Sequence, residues 1–68
     1  MYNYSKIKGA IKEKFDNQAQ FAEALGIGES TLSLKLNNKT EWTQGEMVAA
    51  LNLLGISVDQ VEDYFFAH

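Results

Sequence analysis

Side chains capable of bond-making chemistry are sparse along these 68 residues. Glu62 and Asp63 are neighbours, so on a helix they point apart and do not form a paired acid and base. His68, the last residue, has no cluster of ligands around it in the sequence. There is no cysteine to supply a thiolate or a disulfide, no serine–histidine arrangement and no glycine loop fit to cradle a phosphate. Neither enzymatic activity nor a metal or cofactor is expected. The remaining candidates suit recognition. On a helical wheel of residues 29–37, Ser30, Ser33, Leu34 and Asn37 gather within about 100°, and Leu32 and Leu36 lie about 40° apart on another side. The first group forms a small polar face holding one leucine, with Glu29 at its amino end.

That reading needs a helix there. Leucines at 32, 34 and 36 alternate with polar residues, which is also the period of a strand. A lone strand would have no partner elsewhere in the chain and would not be stable in water, so the helix is preferred. The flanking segments agree. Ile7, Ile11 and Phe15 recur every four residues and predict a first helix over about 4–15, with Asn3 or Ser5 near its start. Asn17 with Gln20 reads as a capping box for a second helix, which carries Phe21, Ala22 and Leu25 inward and stops at Gly26. T-Q-G-E at 43–46 opens a further helix with Met47, Val48, Leu51 and Leu54 on its apolar side, ended by Gly55. S-V-D-Q at 57–60 opens a last short one through Val61, Tyr64 and Phe65. The expectation is an all-α fold of five short helices in a single domain spanning 1–68. The second and third helices, joined by L-G-I-G, have the layout of a helix-turn-helix, whose second helix can enter the major groove of DNA.

Composition sets the bounds. With 46% hydrophobic residues a folded core is expected. A chain this short buries only about 60% of the surface its unfolded form exposes, so a partner or a second copy would add stability. No apolar run is long enough for a membrane span or a signal-peptide core, and the lack of cysteine suits a reducing compartment, so a soluble, cytoplasmic protein is expected. The net charge of −3 is unevenly spread. Residues 1–40 hold all six lysines against four acids, and residues 41–68 hold five acids and no base. Lys6, Lys8, Lys12 and Lys14 on the first helix read either as a phosphate-facing strip or as a solvated face. Trp42, at the start of a helix that must pack on the third, is assigned to the core.

Q-A-Q-F-A-E-A-L-G-I-G-E-S-T-L-S-L-K-L-N, residues 18–37, resembles the helix-turn-helix of the lambda repressor and Cro family of phage and bacterial regulators. Gln18 at the head, Ala22 at the helix crossing, Gly26 in the turn, Ile27 after it and Leu32 within the third helix carry the likeness, which extends over about residues 4–56. Ala22 must be small where helices cross closely, and Gly26 suits a positive φ. K-L-N-N-K after the third helix and Trp42 before the fourth look more narrowly like small phage Cro-like regulators, some of which act as anti-repressors.

The resemblance implies a lambda-repressor-like domain and a set of roles. Base edges would be read by the backbone of Gly28 and by Glu29, Ser30 and Ser33. Leu34 would contact a thymine methyl or anchor a protein. Gln18, Lys35, Asn37, Asn38 and Lys39 would meet phosphates and fix the register. The C-terminal segment 56–68, with Tyr64, Phe65 and Phe66, is a candidate dimer or partner contact, because one of three consecutive aromatics is expected to stay exposed. Two functions follow from the likeness. One is a phage-type transcriptional regulator that binds double-stranded operator DNA as a homodimer in the cytoplasm of a host bacterial cell. The other is an anti-repressor that uses the same face to bind a phage repressor protein; the acidic balance, Glu29 and Leu34 suit that alternative.

Overall fold

The computed structural model describes residues 2–67, so His68 lies outside the described residues. Five α-helices follow one another: α1 (Ser5–Lys14), α2 (Gln18–Leu25), α3 (Glu29–Leu36), α4 (Gln44–Leu54) and α5 (Val61–Phe65). A 3-10 turn, Val58–Gln60, leads into α5, and no strand occurs among the described residues. The all-α, five-helix expectation holds.

Local chemistry sets most of the boundaries. The Asn3 side chain accepts a hydrogen bond from the Ser5 N–H at 2.9 Å and starts α1. Asn17 caps α2 by accepting from the Gln20 N–H at 2.9 Å. α4 opens on a complete capping box: Thr43 accepts from the Glu46 N–H at 3.1 Å, and the Glu46 carboxylate accepts from the Thr43 N–H at 2.9 Å. Gly26 and Gly55 end α2 and α4 in the left-handed region, at φ 84° and 70°, where a side chain would be strained. At Gly26 this lets two successive N–H groups, its own and that of Ile27, return to the Ala22 carbonyl. Ser57 caps the 3-10 turn by accepting from Asp59 N–H, so the last helix begins at Val61.

The helices close around Ile7, Ile11, Phe21, Leu32, Leu36, Leu51 and Phe65, all fully buried, with Ala22 and Ala50 between them. α2 packs against both α3 and α4, and α1 against α5. Trp42 is buried as expected, with its ring 4.8 Å from that of Phe65 and 6.4 Å from that of Tyr4. The α1 lysines do not form one strip. At about 100° per residue, Lys8 and Lys12 fall on one flank of the buried stripe and Lys6 and Lys14 on the other. Accordingly Lys8 lines a cleft with Asn37, while Lys6 stands over the Tyr64 ring at 5.4 Å.

Candidate recognition surface

α3 turns its polar face outward. Gly28, Glu29 and Ser30 are exposed at its amino end, and Leu34 stays 46% exposed. Ser33 is half-buried, and Asn37 turns its amide back to donate to the Ser33 carbonyl at 2.9 Å. Gln18, half-buried at the head of α2, borders a cleft with Lys8 and Lys12. Lys39 is exposed just beyond α3, where its N–H bonds the Leu34 carbonyl at 2.8 Å.

Two of the expected phosphate contacts are withdrawn from that face. Lys35 is only 7% exposed. Its ammonium lies 2.9 Å from the Glu46 carboxylate and donates to the Glu41 carbonyl at 2.9 Å. The four-carbon stem runs inward along α3 and delivers the charge to the start of α4, so Lys35 is an internal tie and does not meet phosphate. Burial works to raise the Glu46 pKa, but the hydrogen bonds from Thr43 and the Lys35 ammonium outweigh it and hold the carboxyl below the usual glutamate range. Asn38 is likewise engaged. It adopts φ 61°, and its amide grips both sides of Tyr2, accepting from the N–H at 3.2 Å and donating to the carbonyl at 2.8 Å.

The C-terminal aromatics divide by exposure. Phe65 is fully buried and belongs to the core, which removes it from the expected contact set. Tyr64 is half-buried beneath Lys6. Phe66 is the exposed one, at 39%, and its ring meets that of Tyr2 edge-on at 5.4 Å. Tyr2, itself 37% exposed, went unassigned in the sequence. Its wall is fastened at the next residue, where the Asn3 N–H bonds the Ala67 carbonyl at 2.6 Å.

Tyr2 and Phe66 line a groove of 630 Å³. Its lining comprises Tyr2, Tyr4, Met47, Phe66, the buried Phe65 and the 38–42 segment. Trp42 Nε1 is buried there without a hydrogen-bond partner among the described residues. Burial, with Tyr2 and Glu41 nearby, raises the Tyr4 pKa above the ordinary tyrosine value. Glu41 is the single acid among the lining residues. Lys39 is the single base among the lining residues. The groove is thus an apolar seat with one acid and one base on its border, and it adjoins Leu34 through the Lys39–Leu34 backbone bond.

A family model described as protein of unknown function (DUF739) matches residues 1–68, the whole chain. The chain belongs to the DUF739 family. Comparison with curated proteins gives no match. Among solved structures, this DUF739 chain is similar to the modulator of repression (MOR) of the temperate bacteriophage TP901-1 from Lactococcus lactis. The two share 42% sequence identity over 96% of this chain and 88% of the other, with a TM-score of 0.83.

Proposed function

We propose that this chain modulates phage repression by binding a repressor protein. The observation that carries the reading is the aromatic groove, with Tyr2 and Phe66 left exposed on its lining. Aromatic side chains in a partly desolvated pocket are the usual anchors of protein interfaces. A repressor's DNA-binding face is basic because it must meet phosphates, and this chain's net charge of −3, with five acids and no lysine or arginine in residues 41–68, complements it in sign. Similarity to a phage modulator of repression supports the same direction. Leu34, exposed at the adjoining end of α3, extends the apolar contact. Occupying the repressor's DNA-binding face would relieve repression without this chain touching DNA. The site of action proposed is the cytoplasm of the host bacterial cell.

Calorimetric titration against the repressor encoded beside its gene tests this. The expected result is a saturable complex that weakens on Phe66→Ala and competes with operator DNA for the repressor. No complex at micromolar concentrations would overturn it.

One observation favours operator binding as a second reading: the amino end of α3, with Gly28, Glu29 and Ser30, is exposed after a three-residue turn, as a lambda repressor or Cro-like recognition helix requires. With Lys35 and Asn38 engaged internally, the phosphate contacts left to it are Gln18, Asn37 and Lys39, aided by Lys8 and Lys12.

A further inference from the structure

We infer that Lys35 is the positioning residue of the proposed groove: from inside α3 it holds the loop that forms one groove wall. The inference rests on the binding reading above and adds the device that makes the groove a fixed surface. The wall runs from Asn38 to Trp42 and is anchored at both ends. At its start the Lys39 N–H bonds the Leu34 carbonyl at 2.8 Å and Asn38 grips Tyr2. At its end stands the Thr43–Glu46 capping box.

Between those anchors, residues 40–42 make no backbone–backbone hydrogen bond among the described residues. The link in the middle of the wall is the Lys35 ammonium on the Glu41 carbonyl at 2.9 Å. The same ammonium lies 2.9 Å from the Glu46 carboxylate, which itself receives the Thr43 N–H. One buried charge therefore fastens the middle of the loop to the helix start that follows it. A loop held this way loses little freedom when a partner docks, and that saving appears as affinity.

A residue that only stabilised the domain would change the folded fraction and leave the affinity of folded molecules intact. The test separates the two by working where the variants are folded. Lys35→Met keeps the stem and removes the charge, Lys35→Arg restores a charge, and Glu46→Gln weakens the second anchor if Lys35→Met fails to fold. Far-UV circular dichroism defines a temperature at which each is at least about nine-tenths folded.

Two measurements follow at that temperature: backbone 15N order parameters for Thr40 and Glu41, and Kd for the repressor encoded beside the gene. In wild type the order parameters should be about 0.85, falling below about 0.6 in Lys35→Met while those of α1 stay unchanged. Kd should rise at least about tenfold, equivalent to about 1.4 kcal/mol, with Lys35→Arg recovering a substantial part of the loss. Glu46→Gln should shift both readouts in the same direction by less. Unchanged order parameters in a folded variant would overturn the inference, and so would a loosened loop with Kd within twofold of wild type. If wild type binds no repressor, the binding reading fails by itself, and the order parameters alone decide whether Lys35 holds the wall.

Discussion

The side-chain amide of Asn38 closes on the backbone of Tyr2 from both sides, joining residues 36 positions apart that both line the aromatic groove. Asn38 is also the single non-glycine residue at positive φ among the described residues. The two facts predict an ordering of variants. Asn38→Gly keeps the backbone conformation easy and removes two partly exposed hydrogen bonds, a loss of about 1 kcal/mol or somewhat more. Asn38→Ala removes the same bonds and adds the cost of a left-handed alanine, about 1 kcal/mol further. Urea unfolding should therefore rank wild type above Asn38→Gly above Asn38→Ala. Alanine equal to or better than glycine would contradict the role of φ.

Ala22 is fully buried on α2, the helix that packs on both α3 and α4. Ala22→Leu inserts three carbons where no space is left, and overpacking of this kind costs about 1–3 kcal/mol. For a domain of this size each kcal/mol lowers Tm by about 4–8 °C. A melt within a degree or two of wild type would show that the crossing is looser than its burial indicates.

What was legible in the sequence was whatever lay within one or two turns of itself. The Thr43–Glu46 box, the Asn17 cap and the glycine stops at 26 and 55 each depend on neighbours no more than four residues away, and all are present. Leu34's outward position followed from the same spacing that sent Leu32 and Leu36 inward. Lys35 was misread because its partners lie 6 and 11 residues on, and only the path of the intervening loop brings them to its ammonium. Asn38 was misread for the same reason over a longer span. Phe65 and Phe66 differ by one step of helical rotation, about 100°. Which one is buried depends on where α5 begins, and the 3-10 turn before it fixes that point.

Stability should depend on pH through Glu46 at the acid end and Tyr4 at the alkaline end. The folded pKa of Glu46 lies below its ordinary value of 4.5, so its contribution is complete above that pH. It is lost as pH falls through the lowered folded value and the carboxyl protonates. The Tyr4 pKa is raised above 10.0, so its contribution is complete below pH 10 and is lost above it, as the phenol ionises. The stability gap between wild type and Glu46→Gln should thus close as pH is lowered below about 4.5. A gap that stays constant from pH 6 to pH 2.5 would remove the ion pair as its source.

Adjacent aromatics should separate stability from binding. Phe65→Ala empties a fully enclosed core position and should cost about 3–5 kcal/mol, enough to unfold much of a small domain. Phe66→Ala removes a ring that is 39% exposed, so unfolding should shift little. The repressor complex should nevertheless weaken by about 2 kcal/mol or more if Phe66 is a central anchor. Trp42, the one tryptophan in the chain, lines the groove and gives a fluorescence signal for the titration. Loss of binding that merely tracks loss of folding in both variants would remove Phe66 from the site.

The two functional readings diverge most sharply at α3. Leu34 and Glu29 are both exposed on it, Leu34 near the groove rim and Glu29 at the far, amino end. If the chain grips a repressor through the groove, Leu34→Ala should weaken that complex and Glu29→Gln should weaken it less, since the contact centres on the aromatic end. Added salt should weaken the complex as well, because acids on this chain face bases on the partner. If the chain instead reads an operator, Glu29→Gln should change preference at one base pair by about 1–3 kcal/mol, and total DNA affinity should rise with a negative charge gone. DNA binding would also fall with salt, at about 0.9 log units per log unit of salt for each phosphate met. Salt dependence therefore does not discriminate, and the identity of the sensitive residue does. Each variant needs one titration with repressor and one with operator DNA. Sensitivity to Leu34 and Phe66 in the repressor titration alone supports protein binding, and sensitivity to Glu29 in the DNA titration alone overturns it.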